Sequence, residues 1–146
     1  RTAGVSAAYW AASGADTIFA SALSDVGGIG ITMSYLDKTK KNEKEGLTYN
    51  SLSTGKFKDY GDPNKPMTTE ERNLIMRDLE IVHNLFIKAV SENRNLSIDK
   101  VRALADGSSM PGEMALENGL IDKIGDFYDV EDYLKEKLGE KIEVCW

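Results

Sequence analysis

Apolar positions at helical spacing form the clearest pattern in the chain, and they lie in its second half. One stripe recurs at intervals of four and three residues: Ile75, Leu79, Val82, Phe86 and Ala89. Residues with this spacing share one face of a helix. Just before the stripe, Thr68 is followed three residues later by Glu71, which is the signature of a helical capping box. A long helix is therefore predicted from Thr68 to about Asn93.

Shorter helices are predicted where small or amphipathic runs end at a glycine or begin at a capping serine. They cover residues 6–13 before Gly14, 35–44 before Gly46, 97–104 capped by Ser97, 114–118 before Gly119, and 130–138. The first of these helices is rich in alanine, which predicts close packing against a larger element.

Strands are predicted from short apolar or alternating runs between the helices. They cover residues 17–20, 26–33, 47–52, 120–124 and 142–144, while a loop with glycine and proline covers 55–66. Strands that alternate with helices are typical of α/β proteins. No repeat, low-complexity tract or linker divides the chain, so residues 1–146 are predicted to form a single domain.

The predicted strand 26–33 contains three glycines, Gly27, Gly28 and Gly30. Glycine weakens a strand, so its repeated use needs a reason. One interpretation is the close approach of another backbone, such as a bound peptide. The other is a bulge or tight packing within the fold. The sequence leaves both open.

Composition places the chain among ordinary soluble globular proteins, with 41% hydrophobic and 29% charged residues over 146 positions. The net charge of -6 argues against nucleic acid as a partner. The basic cluster at residues 38–41 is offset by Glu43 and Glu45, which favours a solvated face.

The chain has a single cysteine, Cys145, and a single histidine, His83, which limits the metal and disulfide sites that it can form. No intramolecular disulfide and no Cys/His metal site can be assembled, and no cofactor is expected. There is no run of about 18 or more apolar residues. The chain begins with Arg1 rather than methionine, and we expect that preceding material is missing from it.

Ser6 and Lys58 are the candidates for catalysis. Ser6 lies among small residues just before a predicted helix, and Lys58 lies in a polar loop that contains Gly55. A serine hydroxyl becomes a good nucleophile when a base takes its proton, and a neutral lysine can be that base. Ser13 is interpreted as a packed helix residue, and His83 as a residue at the surface or the edge of the core.

Four stretches carry a resemblance to a known family, in the family's order. They are residues 6–16, 27–31, 53–59, and 105–107 followed by 112–122. They resemble, respectively, the nucleophile segment, the glycine strand, the loop bearing the general base, and the Ala-Asp-Gly…Gly-Leu-Val-Asp signature of the signal peptide peptidase A family. Each motif alone is weak, but four in the family's order form a strong signal, and the likeness extends over most of residues 1–125.

The resemblance implies a fold similar to Clp protease and the crotonases, of which this chain would be the C-terminal part, with the first strands missing. It implies a serine endopeptidase in which Ser6 is the nucleophile and Lys58 the general base. The backbone N–H of Ser6, or that of Ala7 just after it, is expected to supply one oxyanion donor. Residues Gly27, Gly28, Ile29 and Gly30 are expected to bind the substrate main chain.

Departures from the family's pattern qualify this resemblance. Ala7 and Ala8 replace two glycines after the nucleophile, and Gly28 replaces a serine that helps to orient the lysine in relatives. Thr32 and Ser53 are candidates to take over that role. Residues 108–111 also differ from the family's usual run.

The family implies apolar peptide substrates such as remnant signal peptides, a homo-oligomer with composite active sites, and a missing N-terminal half of the domain. It further implies membrane association through an N-terminal anchor, with the catalytic part outside the cytoplasm. Because a free lysine has a pKa of about 10.4, an alkaline activity optimum is expected.

Three alternatives remain open. The chain could be a non-catalytic homologue that acts as an oligomeric scaffold, or a Clp-like peptidase with a Ser-His-Asp triad that uses His83. The third is a crotonase-type acyl-CoA enzyme, which would not need Lys58.

Overall fold

The protein is described by a computed structural model, which covers residues 3–140 and residue 143. Helices and strands alternate along it, so the predicted mixed α/β class is confirmed. The chain divides into two compact units: Arg1–Gly30 with His83–Trp146 form unit 1, and Ile31–Val82 form unit 2. The predicted final strand at 142–144, like Cys145, lies outside the described residues except for Glu143.

The strands are β1 (Ala3–Val5), β2 (Phe19–Ala20), β3 (Asp25–Gly27), β4 (Ser109–Pro111) and β5 (Lys123–Ile124). The helices are α1 (Ala7–Ser13), α2 (Thr39–Lys44), α3 (Thr69–Asn93), α4 (Ile98–Leu104), α5 (Gly112–Asn118) and α6 (Phe127–Leu138). In the described residues, no helix is both long and apolar enough to cross a membrane.

The five strands of the described residues all belong to unit 1, where they form two small sheets. In the first sheet β3 is central, parallel to β1 and antiparallel to β4. Its register pairs Gly27 with Val5 on one side and with Ser109 on the other. In the second sheet β2 and β5 run parallel, with Phe19 opposite Lys123. The end of β3 is thereby fixed next to the end of β1.

The core of unit 1 joins the sheet to α1, α4, α5 and the second half of α3. Its buried apolar residues are Tyr9, Val26, Ile29, Phe86, Ile87, Val90, Val101, Ala105, Met110, Ala115, Leu120 and Ile121. The predicted stripe on α3 is only partly correct. Phe86 is fully buried, but Val82 is 39% exposed, and Ile87 and Val90 are buried instead.

The predicted strand 26–33 is wrong beyond Gly27. Gly27 and Gly28 have φ angles of 97° and 61°, a region that extended strands do not use. The chain therefore turns where β3 ends. The predicted strand 47–52 is also wrong, because this segment has no regular structure and Leu52 is 99% exposed. Alternation alone does not make a strand, since a strand also needs a neighbour to pair with.

The helix predictions hold best where a cap was recognised. Thr68 and Glu71 form the predicted capping box, with hydrogen bonds of 2.9 and 3.2 Å between side chains and backbone. Ser97 accepts a hydrogen bond from the Lys100 amide, and Gly119 ends α5 in the left-handed region. Helix α2 is shorter than predicted and begins at Thr39, where Asp37 accepts from the amide.

Candidate active site

Ser6 is the single residue between strand β1 and helix α1. Its backbone angles are φ 55° and ψ -128°, which is an unfavourable region for a residue with a Cβ. Ser6 is exposed, and its side chain makes no capping hydrogen bond to α1. A serine on a strained strand-to-helix turn presents its hydroxyl to solvent, as in the nucleophile elbow of other hydrolases.

The backbone of Ser6 is held by the glycine segment, residues 27–30, which begins at the last residue of β3. The Ser6 amide donates to the carbonyl of Gly27 at 2.8 Å, and the Gly28 amide donates to the carbonyl of Ser108 at 3.0 Å. The Ser6 N–H is therefore already engaged in a hydrogen bond within the fold. Of the two expected oxyanion donors, the Ala7 N–H remains, at the first position of α1 where helix amides have no intrahelical partner.

Gly28 and Gly30 each lie against a neighbouring backbone of the same unit. A Cβ at Gly28 would come within 3.2 Å of both the Ser6 nitrogen and the Val5 Cβ, and one at Gly30 within 2.8 Å of the Gly107 Cα. These distances favour the interpretation of tight packing for both glycines. Pairing of this segment with a peptide stays a prediction.

The conformation of Gly28 shows what a side chain at this position would cost. Its φ of 61° lies in the left-handed region, which favours glycine. A residue with a Cβ here would add both backbone strain and a contact with the Ser6 amide.

Ile29 is fully buried, and its carbonyl accepts a hydrogen bond of 3.1 Å from the Gly107 amide. Of the residues predicted to bind substrate, Ile29 therefore offers no side chain to solvent. Through this hydrogen bond, the Ala-Asp-Gly signature at residues 105–107 supports the glycine segment. Asp106 accepts from the amide and hydroxyl of Ser108, which orders the turn into β4.

Helix α1, which follows the candidate nucleophile, is fixed at its first turn. Tyr9 is 1% exposed, and its hydroxyl donates to the Leu120 carbonyl at 2.8 Å. Burial raises the pKa of the Tyr9 phenol, so the hydroxyl stays a donor at physiological pH. Trp10 stacks on Phe86 with ring centroids 4.5 Å apart. The helix that begins at Ser6 is thus tied to α3 and to the turn after α5.

Ser13 is a packed helix residue, as predicted. It is fully buried, its hydroxyl donates to the Trp10 carbonyl at 2.7 Å, and it accepts from Asn93 Nδ2 at 3.0 Å. A hydroxyl with both roles filled and no exposure cannot reach a substrate.

Asp122, at the end of the Gly-Leu-Ile-Asp motif, has a structural role. Its carboxylate accepts from the Ile18 amide at 2.8 Å and from Arg94 Nη2 at 2.7 Å. Partial burial works to raise its pKa, but the hydrogen bonds and charge of Arg94 and the Ile18 amide lower the pKa overall. Arg94 Nε also donates to the Gly119 carbonyl.

Lys58 belongs to unit 2, where it lies in a turn of the loop between α2 and α3. Its amide donates to the Gly55 carbonyl at 3.0 Å, and its side chain is exposed. Ser53, a candidate to help orient the lysine, instead donates its hydroxyl to Gly55 within the loop. Thr32, the other candidate, is exposed.

The charges that flank Lys58 in sequence have their own partners. Lys56 pairs with Glu70 at 2.7 Å, and Asp59 pairs with Lys65 at 3.1 Å. Each of these two charges is therefore largely balanced by its own partner.

His83 lies on α3, and its Nε2 is buried without a hydrogen-bond partner among the described residues. Its side chain is half-buried, which agrees with the prediction of a residue at the edge of the core.

Comparison with known proteins defines the class. Peptidase family S49 matches residues 1–141, so the chain belongs to this family of peptidases. The resemblance to the signal peptide peptidase A family is confirmed by the same match and by the relatives below.

One relative is a protein of Methanocaldococcus jannaschii that is provisionally named a protease; it is 37% identical over 90% of this chain. Another, from Enterococcus faecium, is provisionally named signal peptide peptidase SppA and is 33% identical over 94% of this chain. A third is the chloroplastic serine protease SPPA of Arabidopsis thaliana, 30% identical over 82% of this chain. The chain spans 41%, 40% and 18% of the length of these three relatives, respectively.

Proposed function

We propose that this protein is a serine endopeptidase that hydrolyses peptide bonds in apolar segments, such as remnant signal peptides, with Ser6 as nucleophile and Lys58 as general base. The observation that carries the proposal is the conformation of Ser6. It combines a strained turn between β1 and α1, an exposed side chain and no capping hydrogen bond. Strain of this kind persists where the surrounding structure enforces it, and it is concentrated at functional sites.

The reaction proceeds through an acyl-enzyme. Neutral Lys58 accepts the proton of the Ser6 hydroxyl while Oγ attacks the substrate carbonyl carbon. Lys58 then gives that proton to the leaving amine, which departs as the first product. A water molecule, deprotonated by Lys58, attacks the ester carbonyl, and the proton returns to Ser6 as the acid product leaves.

The Ala7 amide is the oxyanion donor on this chain. It follows the nucleophile directly and lies at the start of α1, where free N–H groups stabilise developing negative charge. The first turn of α1 exposes only the small side chains of Ala7 and Ala8, which leaves room for a substrate carbonyl near Oγ.

The wider proposals rest on family membership. They are a fold similar to Clp protease and the crotonases, and a homo-oligomer with composite active sites that contains the remaining part of the catalytic domain. The catalytic part would lie outside the cytoplasm, associated with a membrane.

Cleavage of an apolar fluorogenic peptide by the full-length protein tests the dyad at neutral and alkaline pH. We expect Ser6→Ala and Lys58→Ala each to lower kcat by about a thousand-fold or more, with higher wild-type rates on the alkaline side. Lys41→Ala, which removes an exposed lysine of α2 that pairs with Glu45, is the matched control and should keep the wild-type rate. Mass spectrometry during turnover should find the acyl group on Ser6.

Other outcomes lead to other functions. Full activity in Lys58→Ala together with loss in His83→Ala would support the Clp-like triad. Turnover of acyl-CoA without Lys58 would support a crotonase-type enzyme. A folded, assembled wild-type protein with no hydrolytic activity would support the scaffold.

A further inference from the structure

Lys65 contacts two carboxylates of unit 2 that differ in how deeply they are buried. Its Nζ lies 3.1 Å from Asp59 Oδ1 and 2.5 Å from Glu71 Oε1. The side chains of Lys65 and Asp59 are 23% and 22% exposed, and that of Glu71 is 4% exposed. These groups are shielded from water, so the two contacts are stronger than those of an ordinary surface ion pair.

Glu71 is the fixed end of this arrangement. Its second carboxylate oxygen accepts from the Thr68 amide at 2.9 Å, and its own amide donates to the Thr68 hydroxyl at 3.2 Å. The carboxylate therefore belongs to the capping box of α3, whose first turn is held by backbone hydrogen bonds. A buried carboxylate needs a cation or donors, and Lys65 supplies the charge.

Of the two carboxylates that contact Lys65, Asp59 is the one relevant to catalysis, because it directly follows Lys58, the proposed general base, in the chain. Hydrogen bonding by Ser51 and by Lys65 lowers the pKa of the Asp59 carboxyl. Lys65 thus ties the residue next to Lys58 to the first turn of α3.

The other side of the same loop is tied to α2. Asp62 accepts from the amide of Asn64 at 2.8 Å, and the Asn64 side chain accepts from Asn42 Nδ2 at 3.1 Å. The Pro63 carbonyl accepts from the Lys38 amide at 2.7 Å. The residues just before Lys65 are therefore held, although the segment has no regular secondary structure.

We propose that Lys65 is a positioning residue for the general base, acting through Asp59 to hold the Lys58 turn against α3. This inference rests on the proposed function of Lys58. The Lys58 side chain has no ion-pair or hydrogen-bond partner of its own among residues 3–140, so its backbone sets where its ammonium group can reach. A catalytic group displaced by about 1 Å can lose about a hundred-fold in rate.

The test uses the full-length protein with three variants of this connection. Asp59→Asn weakens the link to the loop but leaves the Lys65–Glu71 pair. Lys65→Met removes the cation, and Lys65→Arg keeps it. We expect kcat to fall about 10- to 100-fold in Lys65→Met and about 10-fold in Asp59→Asn, with KM within about two-fold of wild type. Lys65→Arg should recover most of the rate.

Lys41→Met is the control for loss of a lysine in the same unit, and it should leave kcat unchanged. Thermal unfolding and titration of Ser6 by an acylating inhibitor give the folded, reactive fraction of each variant. If Lys65→Met fails to fold, Asp59→Asn and Lys65→Arg still decide the matter, because the buried Glu71 keeps its cation in both.

The inference is overturned if kcat per titrated site is unchanged in Asp59→Asn and Lys65→Met, or if Lys65→Arg is as slow as Lys65→Met. Lys58→Ala, measured alongside, separates the two levels. Loss of activity in Lys58→Ala with normal Lys65 and Asp59 variants removes only the positioning role. Full activity in Lys58→Ala removes the proposed function and the positioning role together.

Discussion

Gly28 lies against the backbone of Ser6, so closely that a Cβ on Gly28 would be 3.2 Å from the Ser6 nitrogen. The same residue has a φ of 61°. The absence of a side chain at this position is therefore part of how the candidate nucleophile is held. A serine in place of Gly28 would meet both the strain and the contact.

Introducing a serine at position 28 tests this relationship. Gly28→Ser should lower the free energy of unfolding by about 1–3 kcal/mol, because a residue with a Cβ is strained at this φ. Urea denaturation measures the change. Gly4→Ser, at a glycine of β1 with nothing within 4 Å of an added Cβ, should change the free energy by less than about 1 kcal/mol. Equal stabilities of the two variants would contradict the argument.

Ser6 should show a trade-off between activity and stability. Ser6→Gly relieves the strain at φ 55°, whereas Ser6→Ala keeps the Cβ and thus the strain. We expect Ser6→Gly to be more stable than Ser6→Ala by about 1 kcal/mol, after the entropic cost of glycine is subtracted. Both variants should be inactive. Chemical denaturation of the pair gives the difference, and a less stable Ser6→Gly would show that the turn is not strained.

Phe86 should be the main contact that holds helix α1 to α3. It is fully buried and stacks on Trp10, so Phe86→Ala should cost about 3–5 kcal/mol through lost burial and a cavity. Leu85→Ala is the matched control, because Leu85 is the preceding residue on the same helix and is 53% exposed. Thermal unfolding should separate the two variants clearly. Similar losses in both would mean that the helix face is wrongly assigned.

Asp122 should make stability depend on pH on the acid side. Its pKa is lowered in the folded protein, so its contribution is present above the ordinary aspartate value of about 4 and is lost as pH falls through the folded value. Asp122→Asn should therefore be less stable than wild type at pH 7, and the gap should narrow at about pH 3. Urea denaturation at both pH values tests this. Asp16→Asn, at an exposed aspartate, should show no such gap.

His83 should be dispensable for activity. Its Nε2 is buried without a partner in the described part of the chain, and an unsatisfied buried polar atom costs stability. His83→Leu should therefore keep the wild-type rate of peptide cleavage and unfold at the same or a higher temperature. Loss of turnover in a folded His83→Leu protein would favour a Ser-His-Asp triad over the Ser-Lys dyad.

The sequence determined the local features of this protein. The Thr68–Glu71 capping box, the Ser97 cap and the terminating Gly119 were all predictable, because each signal lies within a few residues of the helix end that it controls. The same holds for the short helix after Ser6. The order of the four motifs then pointed to the family.

The sequence was less informative about strands. β1 and β4 have three residues each, which is too short for an alternating pattern to be recognised. The segment 47–52 has such a pattern, but it pairs with no strand in the part of the chain that the structure describes. Pairing depends on residues distant in the chain, so no local window contains the necessary information.

Only the tertiary structure decided how the candidate site is supported. Four features depend on contacts that only the folded chain makes. They are the φ of Ser6, the hydrogen bond from its amide to Gly27, the pairing of Arg94 with Asp122, and the contacts of Lys65 with two carboxylates. Local sequence sets propensities through backbone sterics and caps. The backbone strain at Ser6 and the partners of a buried charge are set by what the rest of the fold packs against them.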